Sequence, residues 1–362
     1  MARILVIDDS AEMLEMLRII LEHEGDHDVI LCDTGQEGLD DATAQAPDIA
    51  IVDVMMPEMS GYEVVQRLRD TPDTSDIGII ILTARGQPVD RQAALDAGAN
   101  HFMSKPVETQ EILAEVEKLI HVAENKRKST LFPVLSLRGG IGCTTIAVNL
   151  ALLLQQVGPT ALLDLSPNSG HCALYLGMKA NRHWGALLEA RDLDNATTIG
   201  GLTLKHVSGL RLLAAPPTPL VDGSFDPEQI ELLLNVFRQY MRFIVVDMPP
   251  TLTPMSYKIL QGARRIVLVS GNDSPGIQST RQTLHRLDDY QDKISLLINT
   301  PAPGHRPPLD ALQRALRSSI STQIPYDENQ KQARNSAAPS VLSQPRSPLV
   351  IQLQRLTRQL LS

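Results

Sequence analysis

The chain has 362 residues, 43% hydrophobic, with its charges dispersed, which is enough for about two domains with separate cores. No apolar run approaches the ~18 residues of an ordinary transmembrane helix. The net charge of −9 conceals an asymmetry, because residues 1–125 hold 8 Lys and Arg against 26 Asp and Glu while the remainder holds 25 against 16.

The N-terminus, Met1-Ala2-Arg3-Ile4-Leu5-Val6-Ile7-Asp8-Asp9, enters a strand directly and turns acidic too soon for a signal peptide. Cys32, Cys143 and Cys172 form no metal-ligand or disulfide spacing, and a reducing cytoplasm fits. Strand-like runs fall at 4–7, 29–31, 49–52, 79–82 and 101–103, with helical periodicity between them, as in Met13-Leu14-Met16-Leu17-Ile20-Leu21. Alternating β and α over this length predicts a doubly wound parallel sheet, whose ligands sit beyond the C-terminal ends of its strands. Asp8 and Asp9 close the first strand, Asp53 the third and Thr83 the fourth, and Lys105 follows the fifth. Three carboxylates on one edge repel one another unless a cation joins them, and Mg²⁺ prefers such oxygen ligands. A carboxylate can also accept a phosphoryl group covalently.

In the order of these features, residues 3–120 resemble the receiver domain of two-component response regulators. The resemblance implies Asp53 as phosphoacceptor, Mg²⁺ held by Asp8, Asp9, Asp53 and the Met55 carbonyl, and Thr83 and Lys105 on the phosphoryl group. Phe102 stands at the switch aromatic's position; it is either such a switch, working by packing alone, or a core residue.

The polar stretch 121–130 either bridges two domains or extends the helix predicted at 108–120. We place the receiver domain at 1–124, a linker at 125–130 and a second domain at 131–362. That domain shows a second β/α series, with strands at 131–136, 161–165, 210–214, 243–246, 266–269 and 294–298. After the first of these comes Arg138-Gly139-Gly140-Ile141-Gly142-Cys143-Thr144-Thr145, then a helical pattern. Strand, glycine loop and helix form the context of a phosphate cradle, in which backbone N–H groups and a helix N-terminus face the anion. The lysine that reaches the β/γ-phosphates is replaced by Cys143, a neutral thiol.

The loop resembles the deviant Walker A of ParA/MinD ATPases. That family has a basic residue before the glycine pair, matched by Arg138, which reaches the nucleotide of a partner subunit. Thr144 matches the Mg²⁺-binding hydroxyl, and Thr145 a hydroxyl near the α-phosphate. Asp164 and Asp247 match aspartates near Mg²⁺, and Ser166 replaces the one that positions the attacking water. Asn299 matches the residue that reads adenine, and 324–327 the segment flanking the base. The resemblance implies ATP or ADP with Mg²⁺, a homodimer through this domain and, without the lysine and the second aspartate, very slow or absent hydrolysis.

The order of the two domains, with the stretches 170–177 and 208–216, resembles the CpaE/TadZ family, which places and assembles Tad (type IVb) pilus machinery. The expected fold is α/β, two doubly wound parallel-sheet domains, a flavodoxin-like receiver and a P-loop NTPase-like domain. The expected partners are a cognate histidine kinase and pilus-assembly or other polar proteins, in the cytoplasm, at the pole or at the membrane surface. Two other readings remain: an active ParA-type ATPase that partitions DNA or cargo, and a DNA-binding response regulator. The halves of −18 and +9 leave nucleic acid open, although no helix-turn-helix with a basic recognition helix is present. The tail 349–361 is amphipathic and basic. It is either a last helix packed on its own domain or a peripheral membrane contact of the kind MinD relatives make.

Overall fold

The computed structural model describes residues 2–84, 87–167, 170–188, 200–219, 225–304, 307–330, 333 and 336–362. The chain divides into two compact units, Met1–Arg127 and Lys128–Ser362. The polar stretch after residue 120 is helical as far as Lys128, and the next strand begins at Thr130.

The first unit holds β1 (Arg3–Ile7), β2 (Asp28–Cys32), β3 (Ile49–Asp53), β4 (Gly78–Thr83) and β5 (His101–Ser104) in one sheet of order β2-β1-β3-β4-β5. Every pairing is parallel. Helices cover both faces, so the strands read as continuous apolar runs rather than alternating ones. They are α1 (Ala11–Ile19), α2 (Gly35–Gln45), α3 (Gly61–Asp70), α4 (Pro88–Asp96) and α5 (Thr109–Lys128). Ser10, Thr34 and Ser60 begin α1, α2 and α3, each side-chain oxygen accepting a backbone N–H of the first turn. The strand order reverses between β1 and β3, which opens a crevice at their C-terminal ends.

The second unit contains β6 (Thr130–Leu135), β7 (Thr160–Asp164), β8 (Leu204–Lys205), β9 (Arg211–Leu213), β10 (Phe243–Asp247), β11 (Ile266–Gly271), β12 (Ile294–Asn299) and β13 (Thr322–Ile324). Their order is β13-β12-β11-β6-β10-β7-β9-β8. The sheet is parallel except at one edge, where β8 runs antiparallel to β9. Its helices are α6 (Cys143–Gln155), α7 (Cys172–Tyr175), α8 (Pro227–Tyr240), α9 (Pro254–Gln261), α10 (Ser274–Arg286), α11 (Leu309–Leu316), α12 (Ser340–Ser343) and α13 (Pro348–Leu361). One core lies on each face, and α6 is buried almost throughout between sheet and tail. The amphipathic tail is α13, whose apolar face packs into this unit's own core through Leu349, Val350, Leu353, Leu356 and Leu360. Among the described residues no helix is long and apolar enough to cross a membrane.

Candidate functional site

The receiver-like unit gathers its expected residues at the crevice between β1 and β3. Asp8 follows β1 and Asp53 ends β3, and both are buried, at 1% and 4% exposure. Lys105 Nζ lies 2.7 Å from Asp8 Oδ2 and 2.6 Å from Asp53 Oδ1. Burial opposes the Lys105 ammonium, but the two carboxylates outweigh it and hold its pKa above the ordinary lysine range. Asp53 Oδ2 accepts the Met55 N–H at 2.7 Å, and Asp8 Oδ1 accepts that of Ser10 at 3.0 Å. The Lys105 N–H donates to the Thr83 carbonyl at 2.7 Å, which ties the lysine to the end of β4. Thr83 is fully buried, while Asp9 and Met55 are exposed beside the crevice. Phe102 is half-buried and packs on the core between the sheet and its helices.

Gly61, which sequence reasoning passed over, opens α3 against the loop after β3. Its N–H donates to the Val54 carbonyl, and any Cβ there would collide with the Asp53 carbonyl oxygen. Only glycine lets α3 approach Asp53 this closely. The oxygen donors collected here are of the hard type that suits Mg²⁺.

In the second unit the loop after β6 borders a cavity of about 490 Å³ lined by residues 138–145, Ser166 and 247–251, among others. Gly140 and Gly142 have φ of 78° and 98°, a left-handed backbone that favours glycine, and Gly142 caps α6. The loop amides thereby surround the N-terminus of a 13-residue helix. Among the described residues lining the cavity, Arg138 is the one permanent cation. Cys143 is half-buried, and burial first, then the nearby Asp247 charge, push its thiol well up, so it stays neutral.

Asp164 and Asp247 are paired in register at the ends of β7 and β10, which makes their carboxylates neighbours. Both are buried, at 1% and 2% exposure. Burial, then the Asp164 charge, push Asp247 up to about 7 against hydrogen bonds from Thr144 and Cys172. Asp247 lines the cavity and Asp164 does not. Instead Asp164 accepts the backbone N–H groups of Ser166 at 3.2 Å and Cys172 at 3.0 Å, anchoring the loop after β7. Cys172, which its sequence spacing did not single out, places Sγ 3.5 Å from Asp247 Oδ2. Thr144 and Asp247 thus offer oxygens for Mg²⁺ at the cavity, whereas Asp164, expected beside them, does not line it.

Asn299 does not line the cavity. It lies under the loop, where Nδ2 donates to the Ile141 carbonyl at 2.6 Å. Its Oδ1, and Asp327 Oδ2 after β13, are buried without partners among the described residues. Both acceptors thus keep unused hydrogen-bonding capacity. Arg138 turns to Asp273, the residue preceding α10, and the two form an ion pair.

The response regulator receiver domain family matches residues 4–117. Response regulator MprA of Mycolicibacterium vanbaalenii is 42% identical over 118 residues, 33% of this chain and 50% of the relative. The Mycobacterium avium protein of that name is also 42% identical, with the same coverage. The chain therefore spans about half the length of these curated relatives. Among solved structures, a ParA family ATPase from Chlorobium tepidum matches 65% of this chain and 99% of its own at a TM-score of 0.56 and 20% identity. The septum site-determining protein MinD of Pyrococcus horikoshii, complexed with Mg-ADP, matches 64% of this chain and 95% of its own at 0.54 and 18%. The chain is α/β throughout, a flavodoxin-like receiver domain followed by a parallel-sheet domain with the ParA/MinD P-loop NTPase-like fold.

Proposed function

We propose that this is a two-component signalling protein in which phosphorylation of Asp53 regulates a nucleotide-binding, dimerising ParA/MinD-like domain. The dimer localises or assembles Tad pilus or other polar machinery. The observation that supports the reading best is the bridge of Lys105 between two buried carboxylates, at 2.7 and 2.6 Å. A structural ion pair needs one carboxylate; a second on the same ammonium, at a strand-end crevice, suits a charge that is to be replaced.

In the reaction, an Asp53 oxygen attacks the phosphorus of a phosphohistidine on the cognate kinase. The O–P bond forms as the P–N bond breaks, and the imidazole leaves with a proton from solvent. Lys105 stays beside the new phosphoryl oxygens, and the Thr83 hydroxyl meets another. The Met55 N–H, already on Asp53 Oδ2, orients the carboxylate. Asp8, Asp9, Asp53 and the Met55 carbonyl would hold Mg²⁺, which supplies positive charge against the transferred group.

In the second domain the amides of residues 139–145 and Arg138 bind the phosphates, Asn299 and Asp327 the base, and Thr144 and Asp247 Mg²⁺. With Cys143 in place of lysine and Ser166 in place of aspartate, the domain acts as a nucleotide-dependent switch and hydrolyses slowly or not at all.

The test treats the full chain with acetyl phosphate and Mg²⁺. Intact mass should rise by one phosphoryl group in the wild type and not in Asp53→Ala. Sedimentation with ATP should then show a dimer constant that beryllofluoride changes. An equal mass rise in Asp53→Ala sinks the acceptor assignment, and an unchanged dimer constant sinks the coupling.

A further inference from the structure

Arg138 is the one permanent cation among the described residues lining the nucleotide cavity, yet its guanidinium is already engaged. Nη1 pairs with Oδ1 of Asp273, 135 residues away in sequence. That same oxygen accepts the Gly276 N–H at 3.2 Å and so begins α10. The pair raises the pKa of Arg138 and lowers that of Asp273, each chiefly through their mutual hydrogen bond.

The seat is shaped for the pair. A Cβ on Gly276 would stand 2.6 Å from Asp273 Oδ1 and 3.1 Å from Arg138 Nη1. One on Gly271 would stand 2.8 and 3.4 Å from the same atoms. Neither glycine has a positive φ, so what glycine provides at both is room. The side chains are 35% and 49% exposed, so solvent screens the contact and it is weak enough to exchange. A polyphosphate offers the guanidinium more negative charge and a bidentate fit.

We infer that Asp273 is a latch on Arg138, a counter-ion that a nucleotide must displace before Arg138 can reach its phosphates. The inference rests on the nucleotide reading proposed above and adds the competing residue. Because Cys143 contributes no charge, the exchange of one arginine between a carboxylate and a phosphate tunes the affinity that the loop amides supply. The phosphate belongs either to the same chain or to a second copy.

The experiment measures affinity of the full chain for a fluorescent ATP analogue with Mg²⁺, at low and high protein concentration. Asp273→Asn removes the charge and keeps a helix-capping acceptor, and Asp273→Ser does the same with a smaller group. Each should bind roughly two- to fivefold more tightly than wild type, the range an exposed ion pair supplies. The gain should vanish in an Arg138→Ala background, where loss of a helix cap alone would persist. A gain confined to high protein concentration places the phosphate on a second copy, and one independent of concentration on the same chain. Equal or weaker binding by both variants, with wild type binding normally, overturns the latch and leaves the nucleotide reading intact. No binding by wild type or either variant overturns the nucleotide reading, and the latch with it.

Discussion

Replacing Asp247 by asparagine should stabilise the second domain at neutral pH while removing a proposed Mg²⁺ ligand. The carboxyl ends β10 inside the fold at 2% exposure, with Asp164 in register beside it. Burial and that neighbouring charge raise its pKa from 3.8 to about 7. Below pH ~4 the group is protonated in both folded and unfolded chains and contributes no difference. As pH rises toward 7, the unfolded chain releases the proton and the folded chain retains it, so stability falls across this window. Above 7 the folded domain holds an unfavourable charge. With each pKa unit equal to ~1.4 kcal/mol, the disadvantage reaches about 4 kcal/mol. A neutral amide at this position carries no such slope. Urea unfolding of wild type and Asp247→Asn at pH 4.5, 6 and 8 should give a stability difference that grows with pH in favour of the variant. Taking the difference cancels the titrating groups that do not interact with Asp247, leaving it and its neighbour Asp164. Millimolar Mg²⁺ should narrow the gap at pH 8 by stabilising only the wild type. A difference that is flat with pH, or that favours the wild type at pH 8, refutes the argument.

Two further outcomes are expected. Lys105→Met leaves Asp8 and Asp53 buried without their cation and should destabilise the receiver domain by about 3 kcal/mol, read by denaturant unfolding at pH 7. The wild type should lose the same contribution as pH climbs beyond ~10.4, through the raised lysine pKa. Cys143→Lys should tighten ATP binding about tenfold in equilibrium titrations, because a cation joins a loop whose amides are already in place. Unchanged or weaker binding means that the loop does not cradle phosphate.

The eleven strand runs read from apolar patterning all occur, because strands buried on both faces need continuous Val, Ile and Leu. The two additional ones among the described residues, Leu204–Lys205 and Thr322–Ile324, are short edge strands with too few apolar residues to register. The polar stretch after residue 120 contains no Pro or Gly before Ser129, so nothing in it ends α5, and solvation alone does not make a loop. Strand-end chemistry was legible because a parallel sheet brings all its C-terminal ends to one edge, which is why Asp8, Asp53 and Lys105 meet. Contacts that depend on side-chain direction were not. The Asn299 amide N–H donates to the Ile141 carbonyl, and the Asp164 carboxylate accepts two loop amides. Asp273 and Cys172 became visible only when distant segments were brought together.

The burial of the last helix limits how the protein can meet a lipid surface. Leu349, Val350, Leu353, Leu356 and Leu360 are each at most 1% exposed. Withdrawing five such side chains from the core forfeits roughly 7–15 kcal/mol of burial, comparable to the whole stability of an ordinary domain. The apolar face of α13 is thus committed to the fold. A segment that inserts reversibly must be one whose release leaves the rest standing, and this helix is not such a segment. Insertion of its apolar face into a membrane would be an unfolding reaction, driven only by a partition energy larger than the stability it destroys.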